Sequence, residues 1–232
     1  LEWTRLRPLL GLTEARVPDL VELPIASKVW HAVGGTHDSP PERTVAARLY
    51  APRKSFGALV DKALLSLNRR EDHRVCHRFL ELARPESGHE VLFWLLLLAA
   101  GAKPCRLSPA KAGFRRLSVV DSATKNLRGD LRLACLELEG PGYRLLFFPQ
   151  VTLDTRKSYF RLDALVCLRR GRTRFWFDLE VDGQGHDPRF DLEREGMIGL
   201  PTVRIDTHEL ETDPLAALDQ KLAPLLGVRQ AC

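Results

Sequence analysis

The sequence predicts an α/β protein whose two halves are built differently, on three observations. Up to about residue 117, apolar residues recur at helical spacing and prolines punctuate the text. From about 118 onward, most of the chain is aromatic and aliphatic runs of strand length between polar turns. Within that half, Phe175, Phe177, Leu179 and Val181 alternate with Asp178, Glu180 and Asp182, the period of a strand. The predicted domains are therefore 1–117, mainly helical, and 118–232, ordered helix, three strands, helix, strand, helix.

In the first half, Ser39-Pro40-Pro41-Glu42-Arg43 reads as a loop entering a helix. Residues 55–67 and 71–83 combine good helix formers with spaced apolar positions. Arg84-Pro85-Glu86-Ser87-Gly88 interrupts them. Residues 91–100 are apolar all round, the mark of a buried helix, and Gly101-Ala102-Lys103-Pro104 stops it. In the second half, 126–139 reads as an amphipathic helix that Gly129 weakens, ended by Gly140-Pro141-Gly142. Strands follow at 143–153, 159–168 and 174–182, joined by turns at 154–158 and 169–172. After a loop at 183–188, helix 190–198, strand 202–205 and helix 214–226 complete the order.

Composition sets the frame for function. Hydrophobic residues form 44% of the chain, enough for a substantial core. The net charge of +5 and pI of about 9.1 permit nucleic-acid binding without demanding it. Cys76, Cys105, Cys135, Cys167 and Cys232 are odd in number and show no CxxC pair, which fits a reducing compartment. No secretory leader is read at the N-terminus, and 91–100 falls short of the about 20 residues that span a bilayer. A cytoplasmic protein with no membrane contact is expected.

The acidic row carries the chemistry. One face of strand 174–182 is apolar and buries; the other holds like charges that repel. A hard divalent cation neutralises them with carboxylate ligands, and Asp163 on the preceding strand completes such a site. Asp178 reads as a solvated or salt-bridged strand residue rather than a ligand. The pattern is that of a metal-dependent phosphodiesterase.

The ordered words Arg161-Leu162-Asp163, Glu180-Val181-Asp182-Gly183-Gln184-Gly185-His186 and Leu200-Pro201-Thr202-Val203-Arg204-Ile205 resemble the PD-(D/E)XK nuclease superfamily. Its small endonucleases of the very-short-patch-repair type are the nearest branch. The resemblance covers about half the chain and implies a restriction-endonuclease-like αβββαβ core. It implies a DNA endonuclease using Mg²⁺, with Mn²⁺ as substitute, held by Asp163, Glu180, Asp182 and the Val181 carbonyl. Gln150 would position water or a metal ligand, and His186 would serve the phosphate or leaving oxygen. Arg194 would clamp phosphate, with Lys157 a further phosphate contact. The first-helix acid would be Asp130, or else Glu137. Asp182 stands where these enzymes usually carry lysine; Lys157 and Lys125 are candidate substitutes.

Each residue also has a plain reading: a turn for Asp163, a loop for His186, an exposed helix face for Arg194, a helix cap for Asp130. His73, Cys76 and His77 form at most half a zinc site. Gly183-Gln184-Gly185 is not a phosphate loop, and no GxSxG occurs. Three functions remain distinct. The first is a DNA endonuclease, with the N-terminal half positioning DNA, forming a homodimer or docking a partner protein. The second is a nucleic-acid binder that does not cut. The third is an interaction module using helix 91–100.

Overall fold

The computed structural model describes residues 20–34, 54–83, 85, 87–99, 110–182, 188–212 and 214–224. Among them are eight strands and six helices. In chain order these are β1 (Val21–Ile25), β2 (His31–Gly34), α1 (Lys54–Asn68), α2 (His73–Ala83), α3 (Gly88–Ala99), β3 (Lys111–Asp121) and β4 (Leu127–Gly140). Then come β5 (Tyr143–Asp154), β6 (Tyr159–Arg170), β7 (Thr173–Asp182), α4 (Pro188–Ile198), β8 (Thr202–Asp206), α5 (Thr207–Thr212) and α6 (Pro214–Leu222).

All eight strands belong to one mixed sheet of order β1-β3-β4-β5-β6-β7-β8, curled into a half-barrel, with β2 paired to β5. Strands β3 to β7 form an antiparallel meander, while β1 joins β3 and β8 joins β7 in parallel. This overturns the predicted helical N-terminal domain beside an αβββαβ core: the first half contributes β1 and β2, and β3 runs straight through position 117/118. The segment 126–139 is strand β4, not a helix. Its centre Leu133–Leu138 is buried on both sides of the sheet, so the apolar run carries no period that separates strand from helix. The edge position of β1 accommodates Pro24, which has no N–H to donate.

Both faces of the sheet are covered. Helices α1, α2, α3, α5 and α6 pack on one face against Leu136, Phe147, Val166, Phe177 and their neighbours. There Trp94 meets Phe79, Phe93 and Phe147 edge-on, with centroids 5.4, 5.1 and 6.3 Å apart, the arrangement ring quadrupoles favour. The other face buries β1 and β2 residues with Leu117, Phe148, Leu162, Trp176 and Ile198. Residues Val91 to Leu95 of α3 are at most 1% exposed, so this stretch of the helix is core.

Strand β5 has two neighbours along one edge. Residues Tyr143 to Phe147 pair with β4, and Val151 to Asp154 pair with β2. The β4 strand veers off there, and β2 lies so close that a Cβ on Gly129 would sit 2.8 Å from the Ala32 carbonyl oxygen. Between the two stretches sits Gln150, whose φ of 53° is the left-handed conformation a side chain rarely adopts. The pairs Pro149↔Ala164 and Val151↔Leu162 leave Gln150 opposite Asp163. At this position both strands change sides. Leu146 and Phe148 share a core with Val151 and Leu153, and Phe160 and Leu162 share it with Leu165 and Cys167.

Candidate active site

The switch in β5 and β6 brings together residues that the sheet otherwise keeps apart. Strands β6 and β7 pair as far as Ala164↔Leu179; one residue further, Asp163 comes opposite Glu180. There the ladder gives way to a side-chain contact: the Val181 N–H donates to Asp163 Oδ2 at 2.9 Å. Asp163 is half-buried, whereas Glu180, Gln150 and Glu90 are buried. The Gln150 amide donates to Glu90 Oε2 at 2.8 Å.

Glu90 was not anticipated. It opens α3 in a capping box: the Glu90 N–H donates to Ser87 Oγ (3.1 Å) and the Ser87 N–H to Glu90 Oε1 (3.0 Å). One oxygen fixes the helix start and the other reaches the site. The signal was present, since Ser87-Gly88-His89-Glu90 precedes an all-round apolar run and such a helix buries whatever heads it.

Behind Glu180 lies Arg194. Helix α4 begins with Pro188, suited to the first helical position, and ends at Gly199, whose N–H donates to the Glu195 carbonyl at 2.8 Å and whose φ of 73° turns the chain out of the helix. Arg194 and Ile198, four residues apart, share the buried side. The guanidinium bonds Glu180 Oε1 and approaches Asp178 Oδ2 at 2.6 Å. That second approach is a charge contact off the hydrogen-bonding direction, so neither Asp178 oxygen receives a hydrogen bond from it. Asp178 is fully buried; burial, then the charge of Glu180, raises its carboxyl well above the usual range. Asp178, read as a solvated or salt-bridged strand residue, is not solvated: it lies inside the protein against Arg194. Arg194 does not present a phosphate clamp, because its guanidinium is engaged by two acids.

Ionising every acid at this site would leave a surplus of negative charge, and the protein resists it. Burial, then the neighbouring Glu180 and Glu90, pushes the Asp163 carboxyl up to about 8, against weaker opposing pulls from the Val181 N–H and Arg194. Arg161, two residues along β6, also feels Asp163 and Glu180. A hard cation fits this donor set: Mg²⁺ commonly takes one or two carboxylates and fills its remaining positions with water and phosphate oxygen. Asp163 and Glu180 are the two carboxylates at the opening. Among the described residues no group of three or more His, Cys, Asp or Glu is gathered as a metal site. Asp182 closes β7 in register with Asp206, and its side chain lies outside the described residues. His186 lies outside them altogether.

Other predicted residues fall elsewhere. Asp130 is on β4, not a first helix, and Arg116 on β3 binds both its oxygens at 2.8 and 2.5 Å, lowering its carboxyl pKa. Glu137 is buried on β4 between Arg115 and Arg144, at 2.8 and 3.1 Å. Lys157 is exposed in the β5–β6 turn, at the same end of the sheet as Asp163. Lys125 sits in the β3–β4 turn with a φ of 61°, lining a cavity of about 260 Å³ with Glu22, Arg174 and Trp176. Cys76 is buried, and His73 and His77 bond the Arg70 carbonyl and Asn68 instead of forming a zinc site. No helix among the described residues is long and apolar enough to cross a membrane. Comparison of the chain with family models, with curated proteins and with solved structures finds no match.

Proposed function

We propose that this protein is a metal-dependent endonuclease that hydrolyses phosphodiester bonds of DNA at Asp163 and Glu180. One observation carries the reading. Acids from three separate elements meet where the sheet opens: Asp163 on β6 lies opposite Glu180 on β7 and feels the charge of both Glu180 and Glu90 on α3. Folding them together costs stability, and a divalent cation with a phosphate is the ligand that offsets it. Mg²⁺ or Mn²⁺ at this point would supply Lewis acidity and a water acidified enough to attack at neutral pH. Asp163 and Glu180 would hold the cation, and Arg194 fixes the direction in which Glu180 points. Gln150 holds Glu90 in place across the switch. The exposed Arg156 and Lys157 in the β5–β6 turn, at the end of the strand that carries Asp163, suit a polyanion. The residue pattern shared with PD-(D/E)XK nucleases points to the same chemistry, and buried free Cys76, Cys135 and Cys167 suit a reducing cytoplasm.

The test is cleavage of supercoiled plasmid and of short branched and single-stranded DNA with Mg²⁺ or Mn²⁺, comparing wild type with Asp163→Ala and Glu180→Ala. Metal-dependent cutting lost in both folded variants is the expected result. Cutting retained in either removes that residue from the site. A folded wild type that binds DNA but cuts nothing favours a second reading, a non-cleaving DNA-binding protein. The engagement of Glu180 by Arg194 and the lack of the usual lysine favour that alternative.

A further inference from the structure

We propose that the outer stretch of β6 is a track for an unpaired nucleic-acid strand, in which Tyr159 stacks on a base and Arg161 binds the phosphate beside Asp163. The role of Asp163 rests on the nuclease reading above; the binding track does not require cleavage.

The alternation of β6 sets the track out. Phe160 and Leu162 go into the core, leaving Tyr159 and Arg161 exposed and Asp163 half-buried on the alternate positions. Tyr159 is 77% exposed, more than any other large apolar side chain among the described residues. The fold gains little packing from a phenol ring so placed. It stands about 13 Å from Asp163 along the strand. The turn before it is cationic: Arg156 and Lys157 are exposed, and Arg156 lies over the Trp30 ring at 3.5 Å. Trp30 is tied to this turn by its N–H, which donates to the Asp154 carbonyl at 2.6 Å. A cationic turn and one open aromatic ring, Tyr159 at the head of β6, therefore precede the acids along the chain.

That order of groups selects the ligand. Phosphates pair with the cations, and bases stack on a ring whatever their sequence. In a duplex the base faces are hidden inside the stack, so only an unpaired strand or a splayed-out base reaches Tyr159. Arg161 also supplies positive charge two residues from Asp163, on the site's own strand.

The test is fluorescence anisotropy of a labelled single-stranded oligodeoxynucleotide and of its duplex, with Ca²⁺ in place of Mg²⁺. Wild type is expected to prefer the single strand. Tyr159→Ala is expected to weaken single-strand binding about 5- to 150-fold, with Tyr159→Phe near wild type, because stacking needs the ring and not the hydroxyl. Arg161→Ala is expected to reduce the slope of log affinity against log salt by about 0.7. Unchanged binding by Tyr159→Ala, preference for duplex, or no binding of either DNA by wild type overturns the track. The two readings fail separately. Single-strand binding that depends on Tyr159 without cleavage sinks only the nuclease, whereas cleavage indifferent to Tyr159 sinks only the track.

Discussion

Asp163 holds a proton more tightly in the folded chain than an unfolded aspartate does, and this has a measurable sign. Where the folded state binds more protons, stability falls with rising pH. The fall should run from about pH 4, the ordinary aspartate pKa, to about 8, the folded value. Asp163→Asn removes the charge and keeps an oxygen for the Val181 N–H. It should flatten this segment of the melting temperature-against-pH profile and melt above wild type near pH 8. Saturating Mg²⁺ should have the same effect on wild type, and a profile identical in variant and wild type would refute the surplus charge. Arg194 behaves oppositely. Arg194→Ala leaves two buried acids without their cation and should cost about 3–5 kcal/mol in denaturant unfolding. Arg194→Lys should restore only part of it, because an ammonium lacks the planar fork. A loss under about 1 kcal/mol in Arg194→Ala would mean that the acids repack without it.

At the scale of elements, β2 is the piece on which the β4–β5 divergence depends, and Gly129 is its tightest point. Gly129→Ala drives a methyl toward the Ala32 carbonyl, a backbone atom that cannot swing aside. It should cost about 1–3 kcal/mol, whereas Gly113→Ala, with open space, should cost little. Equal costs would show that β2 shifts freely. The sequence made some elements legible and hid others for physical reasons. Strands β5, β6 and β7 were readable because aromatic and β-branched runs end in glycine or polar turns, and α1 to α3 because their apolar spacing is helical or unbroken. Strand β4 was misread because Leu133 to Leu138 faces a core on each side. Its first half did alternate, with Arg128, Asp130 and Arg132 against Leu127, Gly129 and Leu131. Strands β1 and β2 are too short to show a period over proline and glycine. In the site, Asp163 and Glu180 were legible as acids on neighbouring strands. Glu90 was not, because its approach is set by helix packing 60 residues before Gln150.

For the whole molecule, the two cores share one sheet, and the helices of the first half fill one of them. Leu67, Phe79, Leu92 and Trp94 lie against Leu136, Phe147 and Phe177. A fragment 118–232 would expose that face and lose the first seven residues of β3, so it should unfold without a cooperative transition while the full chain melts cooperatively. A sharp melt of the fragment would restore the idea of an autonomous second half. The change of sides at Gln150 and Asp163 has a larger consequence. With those two residues excised together, Pro149 would precede Val151 and Leu162 would precede Ala164, and every remaining pair would keep its partner and its core. Excising only one would turn half a strand inside out. The double deletion should therefore fold and each single deletion should not. By the geometry of the sheet, Gln150 and Asp163 are supernumerary: an uninterrupted barrel wall could dispense with both, and what they add is the place where the wall opens onto charge.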